Sequence, residues 1–159
     1  MFRVFVRATT ALAVGASMAL AAGPAAAADI VITVTKFHAL DRADELSSGD
    51  FFARIKIKGK AAFSPTITGE QVFTPDWKLT LPASRGSNEV NLALIDKDLA
   101  VDDPIDINRV ENKRDLDFTV NTKTCRISGF SESYKCGDTI TRTGTQNKKA
   151  EISFTVDVK

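Results

Sequence analysis

The sequence predicts an all-β protein, built as an antiparallel sandwich with a disulfide-closed hairpin or loop near the C-terminus. In several runs after the first 28 residues, apolar positions recur at a period of two. No segment keeps a helical period. Short strand-like runs are separated by turns rich in Gly, Pro, Asn and Ser, which is typical of a sandwich or barrel.

The first 28 residues have the layout of a secretory signal peptide. Arg3 and Arg7 precede an uncharged stretch that ends in three alanines just before Asp29. A membrane anchor is the alternative, but the stretch is mostly Ala and is interrupted by Gly and Pro, whereas a spanning helix needs about 20 strongly apolar residues. We therefore expect residues 29–159 to form one exported domain, located in the periplasm or outside the cell.

Charge and size narrow the function classes. Of 21 basic and 20 acidic residues, two basic and no acidic ones lie in the leader, so the remaining domain carries a net charge near −1. This balance gives no electrostatic reason to expect nucleic-acid binding. A domain of about 130 residues buries enough surface to fold around one core.

The predicted strands follow in chain order, each marked by apolar residues two positions apart. Their apolar sets are Ile30, Ile32 and Val34; Phe51, Ala53, Ile55 and Ile57; Trp77, Leu79 and Leu81; Val90, Leu92 and Leu94; Leu116, Phe118 and Val120; and Ile152, Phe154, Val156 and Val158. We expect Trp77 to be buried, because it shares one face with Leu79 and Leu81. The other face of the second strand carries Arg54, Lys56 and Lys58, with Lys60 following: a basic patch or an ordinary solvated face.

The two cysteines, Cys125 and Cys136, enclose ten residues in a chain predicted to enter an oxidising compartment, where cysteines pair. A reactive or metal-binding pair is the alternative, although zinc sites usually offer closer spacing and more ligands. The segment between Asn121 and Ala150 is rich in Thr, Ser and Lys. We expect it to project from the sheet as a disulfide-closed hairpin or loop.

Catalytic motifs are hard to assemble from this sequence. The single histidine, His38, lies at the end of the first predicted strand, and any Ser-His-acid arrangement would depend on it. The sequence has no Gly-rich phosphate loop, zinc-protease helix motif or nucleophile elbow. Paired carboxylates leave an exported carboxylate-dependent hydrolase open, but we predict a binding module and no enzymatic activity.

Aspartates crowd two predicted loops. Asp44 and Asp50 flank the loop between the first two strands. The loop after Leu94 holds a second group: Asp96, Asp98, Asp102, Asp103 and Asp106. Converging carboxylates repel one another unless a cation lies among them, and Ca²⁺ accepts six to eight oxygen ligands. On this pattern alone, solvated loop acids remain the alternative.

Four short motifs succeed one another through the first part of the domain. Asp44 precedes Asp50, where a predicted strand begins, by six residues, and Thr-Pro-Asp-Trp at 74–77 leads into another strand. An apolar strand then ends in Asp-Lys-Asp at 96–98, and Asp-Asp-Pro-Ile follows at 102–105. In this order the motifs resemble those of the C2 domain, a calcium- and phospholipid-binding β-sandwich.

The resemblance implies a C2-like antiparallel β-sandwich and a set of calcium ligands. Those ligands are Asp44, Asp50, Asp96, Asp98 and Asp103. The interval after Asp96 is one residue shorter than usual in the family, so Asp102 is an alternative to Asp103. This chain also departs from the family at Phe51, where Pro is usual, at Asp106, where Gly is usual, and in its cysteine-bearing segment.

The same resemblance implies Ca²⁺ as cofactor and either an anionic phospholipid surface or an unidentified protein as partner. The basic patch, Arg54, Lys56, Lys58 and Lys60, would be a second contact with such a surface. The apolar residues available at the loop tips are Leu46, Leu99, Ala100 and Val101. A metal-free β-sandwich that acts as a structural or protein-interaction domain is the alternative function.

Overall fold

The computed structural model describes residues 28–41, 49–69, 71–98 and 101–159, and the regular elements in these ranges are β-strands. In chain order they are β1 (Ala28–Ala39), β2 (Asp50–Ile57), β3 (Lys60–Phe63), β4 (Ile67–Thr68), β5 (Val72–Phe73), β6 (Trp77–Ala83), β7 (Ser87–Asp96), β8 (Asp103–Ile105), β9 (Leu116–Asn121), β10 (Arg126–Ser128), β11 (Tyr134–Lys135), β12 (Ile140–Thr143) and β13 (Ala150–Val158). None of the described residues forms a helix with the length and apolar character that a membrane crossing requires. The predicted signal peptide, apart from Ala28, lies outside these ranges.

The strands form two antiparallel sheets. The first sheet has the order β12-β13-β1, with β5 and β6 pairing along the other edge of β1. The second has the order β11-β10-β9-β7-β2-β3, with β4 beside β2 and β8 beside β7. The all-β prediction is therefore confirmed.

The core lies between the two sheets, on the faces where the sequence alternation placed apolar residues. Ile32 of β1, Ile55 of β2 and Leu92 of β7 are fully buried. Trp77 opens β6 with 5% of its surface exposed, which confirms its predicted burial. The inward residues of both sheets thus supply the hydrophobic burial that stabilises the sandwich.

A bulge in β1 changes which residues face the core. Val34 faces inward before the pairing with β13 shifts between Val34 and Lys36; after the shift, Phe37 and Ala39 are buried instead. A β-bulge inserts one unpaired residue and so reverses the alternation. His38 therefore points away from the core, beside Val72 and Glu151.

Three phenylalanines close the core at the end where β2 begins. The Phe37 ring lies 4.8 Å from the Phe51 ring and 5.6 Å from the Phe73 ring, measured between centroids. All three side chains are buried. They form an apolar layer next to Asp50.

The cysteine-bearing segment forms the expected hairpin. Cys125 and Cys136 are joined by a disulfide with their Cα atoms 5.2 Å apart, and the strands β10 and β11 between them pair antiparallel. Ile127 of β10 is fully buried and anchors the hairpin to the core. The predicted disulfide is confirmed.

Candidate functional site

Two of the predicted ligands meet where β2 begins and β7 ends. Phe51 lies opposite Asp96 in the β2–β7 pairing, which places Asp50 beside Asp96. The Asp50 N–H donates a hydrogen bond to Asp96 Oδ1 over 2.8 Å, and the Lys97 N–H donates one to the Asp50 carbonyl over 2.7 Å. Sheet hydrogen bonding therefore fixes the positions of both aspartates.

The Asp50 side chain holds a buried oxygen that no described residue satisfies. Its Oδ1 has no hydrogen-bond partner among the described residues. Such an oxygen is costly, because it has lost its hydration without compensation. Gly49 packs closely here: a Cβ at this position would collide with the Phe51 ring and lie 3.0 Å from Asp96 Oδ1. The Asp50 oxygen thus keeps an unused acceptor capacity among the described residues.

The second acidic loop contributes Asp98 and Asp103. The β7–β8 pairing places Asp103 opposite Asp96, whereas the neighbouring Asp102 is exposed. Asp98 follows the end of β7 and is half-buried. We call Asp50, Asp96, Asp98 and Asp103 the acidic end. The remaining predicted ligand, Asp44, lies outside the described residues, as do the loop-tip residues Leu46, Leu99 and Ala100.

A lysine that the sequence reasoning missed reaches into the acidic end. Lys148, in the loop between β12 and β13, forms an ion pair with Asp103 through its Nζ. The hydrogen bond to Asp103 raises the pKa of Lys148; attraction by Asp103, Asp98 and Asp96 adds to the effect, and desolvation opposes it. Three of the predicted ligands therefore already act on one cation.

The buried Asp106 holds the loop that carries Lys148. Its carboxylate accepts hydrogen bonds from the N–H groups of Thr145 and Gln146, over 2.7 and 2.5 Å, and its own N–H donates to the Lys148 carbonyl over 2.8 Å. Gly144 passes so close that an added Cβ would collide with the Asp106 carbonyl. In the sequence, the only sign of this structural role was that Asp106 stands where C2 domains usually have Gly.

Lys149 of the same loop contacts the residues just before the first predicted acidic loop. Lys149 Nζ lies 3.5 Å from Asp41 Oδ1, and the Lys149 carbonyl accepts a hydrogen bond from the Leu40 N–H over 2.9 Å. Asp41 is the last described residue before the first loop. The β12–β13 loop therefore places Lys148 at the second predicted acidic loop and Lys149 beside the start of the first.

The arrangement suits a hard cation chemically but is not assembled as a metal centre. Within the described ranges, no three side chains of Asp, Glu, His or Cys stand close enough together to hold a metal ion. The Asp96 carboxylate accepts the Asp50 N–H, and the Asp103 carboxylate pairs with Lys148.

Only part of the predicted basic patch is exposed and not paired with an acidic residue among those described. Arg54 is neutralised by Asp115, whose Oδ2 lies 3.4 Å from the Arg54 guanidinium. Lys58 donates a hydrogen bond to Ser84 Oγ. Together with Lys56 and Lys60 it is exposed, so the cationic surface consists mainly of three lysines around the β2–β3 turn.

Solved structures of C2 domains have a similar fold. The structure of the two C2 domains of Extended-Synaptotagmin 2 matches 96% of this chain at 15% identity, with a TM-score of 0.61, and 48% of that chain is covered. Human GIVD cytosolic phospholipase A2, in complex with a fluorophosphonate inhibitor and terbium chloride, matches 82% of this chain at 16% identity, with a TM-score of 0.53. Only 17% of the phospholipase chain is covered.

No model of a known protein family matches the sequence, and no curated protein matches it. At these levels of identity the similarity to solved structures concerns the fold. The described residues form two antiparallel sheets that enclose one core, and a disulfide-closed hairpin follows β9. The chain therefore adopts a C2-like antiparallel β-sandwich.

Proposed function

We propose that this protein is an exported C2-like binding module that holds Ca²⁺ at its acidic end and thereby engages an anionic membrane surface or a protein partner. The buried Oδ1 of Asp50, which has no hydrogen-bond partner in the described part of the chain, carries this proposal, since a coordinated cation offsets the cost of leaving that oxygen unsatisfied. Ca²⁺ suits the donors because it prefers carboxylate oxygens in flexible geometries.

Each predicted ligand has a defined part in the proposed site. Asp50 and Asp96, at neighbouring positions of the β2–β7 pairing, each supply a carboxylate, and Asp98 lies two residues beyond Asp96. Asp103 joins them once Lys148 moves away. Asp44 remains a predicted ligand from the first loop, and waters and main-chain carbonyls complete six to eight ligands.

Export is supported by the leader and the cysteines. Residues 1–28 have the layout of a signal peptide, and a structural disulfide suits an oxidising compartment such as the periplasm or the extracellular space. Extracellular calcium modules bind with dissociation constants of about 10⁻⁴ to 10⁻³ M. We expect an affinity in that range.

The partner is inferred from charge and exposure. Without metal the acidic end repels anionic headgroups, whereas a bound divalent cation attracts them. Val101 lies two residues before Asp103 with 74% of its surface exposed, so it is available to contact a membrane. Lys56, Lys58 and Lys60 offer a second cationic surface.

A calcium titration by calorimetry tests the site. Wild-type protein should bind Ca²⁺ in the range given above, and Asp50→Asn should lose most of that affinity because it removes the charge of that carboxylate. Asp157→Asn, on β13, is the matched control and should bind as the wild type does. Equal affinity of Asp50→Asn and wild type would remove Asp50 from the site.

Vesicle co-sedimentation then tests the partner. Binding to vesicles that contain phosphatidylserine should require Ca²⁺ and should fall with added salt, because screening weakens the contact. Vesicles of phosphatidylcholine alone are the control. Calcium binding without vesicle binding would favour a protein partner.

One observation favours a second candidate function, a metal-free interaction domain. The ion pair between Lys148 and Asp103 already neutralises part of the acidic end without a metal. In that case the acids are structural, and the calorimetric titration of wild-type protein shows no calcium-dependent heat.

A further inference from the structure

We propose that the Lys148 ammonium is a built-in counter-ion of the acidic end and that a calcium ion must displace it in order to bind. This inference rests on the proposed function, because it concerns the competition between Ca²⁺ and the Lys148 ammonium for the same carboxylates. Lys148 then sets the calcium concentration at which the domain responds.

The contacts of Lys148 place its charge at the carboxylates. Its Nζ pairs with Asp103, which lies opposite Asp96 in the sheet, and Asp96 and Asp98 both attract it. Two cations cannot share these carboxylates without strong mutual repulsion at short range. Calcium binding at Asp103 and the Lys148 ion pair therefore compete with each other.

The backbone of Lys148 is held in a conformation that few lysines adopt. Its φ is 58°, in the left-handed region that favours Gly and Asn, although Asn147 stands next to it in the chain. The Asp106 N–H holds the Lys148 carbonyl over 2.8 Å, and the buried Asp106 carboxylate holds the loop before it. A strained residue that the surrounding fold holds in place often marks a functional position.

Displacement requires only the side chain to move. The Lys148 side chain is 35% exposed and that of Asp103 is 40% exposed, so water reaches both partners. A flexible four-carbon stem lets the ammonium swing into solvent while the backbone stays anchored. The lysine is thus a removable competitor and not a permanent part of the core.

Three variants separate the role of this charge from nonspecific effects. Lys148→Met removes the ammonium and keeps the stem, and Lys148→Arg keeps a cation. Lys36→Met is the matched control, because Lys36 forms a comparable partly exposed ion pair with Glu151 over 3.2 Å. It removes the same formal charge without touching the acidic end.

The measurement is calorimetric titration of the purified protein and its variants with calcium chloride at low ionic strength. Lys148→Met should bind Ca²⁺ at least about fivefold more tightly than wild type, the ratio that corresponds to about 1 kcal/mol for losing one competing ion pair. Lys148→Arg and Lys36→Met should stay within about twofold of wild type. In wild-type protein, NMR of lysine ammonium groups should show the Lys148 signal shift on calcium addition.

The outcomes separate this inference from the proposed function. If wild type binds Ca²⁺ and Lys148→Met binds with the same affinity, the inference fails while the calcium site stands. If wild type shows no binding and Lys148→Met binds, the inference holds and wild type is a metal-free domain. If neither binds, both are wrong. If Lys36→Met gains as much calcium affinity as Lys148→Met, the change in net charge explains the effect and the inference is overturned.

Discussion

At the scale of single residues, two aspartates with buried oxygens have opposite roles. The Asp106 carboxylate is satisfied by main-chain N–H groups and organises a loop, whereas Asp50 keeps a buried oxygen without a partner among the described residues. A satisfied buried carboxylate stabilises its surroundings, and an unsatisfied one destabilises them until a ligand arrives. We therefore assign a structural role to Asp106 and propose a binding role for Asp50.

Replacing Asp106 tests the structural role. Asp106→Ala leaves the N–H groups of Thr145 and Gln146 without acceptors and should lower the free energy of unfolding by about 3 kcal/mol or more. Urea denaturation measures the change. Asp157→Ala, a half-buried aspartate of β13, is the control and should change stability by less than about 1 kcal/mol. Similar losses in both variants would contradict the special role of Asp106.

Replacing Trp77 tests the position of the core. Trp77→Ala removes a buried indole and should cost about 3–5 kcal/mol in urea denaturation. Val101→Ala, at an exposed position, should leave stability within about 0.5 kcal/mol of wild type. The folded wild-type protein should show blue-shifted tryptophan emission, and a water-like spectrum would place the indole outside the core.

At the scale of elements, alternation was sufficient to predict the long strands and their inward residues. Ile32 in β1, Leu92 in β7 and Phe154 in β13 are buried as their spacing indicates. The bulge in β1 could not be predicted in this way, because a two-residue period carries no information on where a register shifts. Short strands such as β4 and β8 depend on pairing with distant residues, which local sequence does not encode.

The disulfide hairpin offers a test at this scale. A Cys125→Ser, Cys136→Ser double variant loses the constraint on the unfolded chain, which for a loop of this length is worth about 3 kcal/mol. Thermal denaturation should show a lower melting temperature. A free-thiol assay on denatured, unreduced protein should find no thiols, and two thiols per chain would show that the bridge is absent in solution.

At the scale of the whole molecule, the fold brings together segments far apart in the sequence. The sheets place Asp50 beside Asp96, and the β12–β13 loop adds Lys148 from much later in the chain. The sequence allowed the aspartates to be predicted because they form motifs. It did not reveal Lys148, because a lysine among Thr, Gln and Asn residues has the pattern of an ordinary solvated loop.

Scanning calorimetry of the protein with and without Ca²⁺ is the most direct test of the central claim, that the acidic end is a calcium site. A 100-fold excess over the dissociation constant should add about 2.7 kcal/mol to the free energy of unfolding. For a domain of this size that gain raises the melting temperature by roughly 5–10 °C. The account predicts this rise with Ca²⁺, a much smaller one with Mg²⁺, and its loss in Asp98→Asn. An unchanged melting temperature in about 100 mM Ca²⁺, against a control of matched ionic strength, would contradict it.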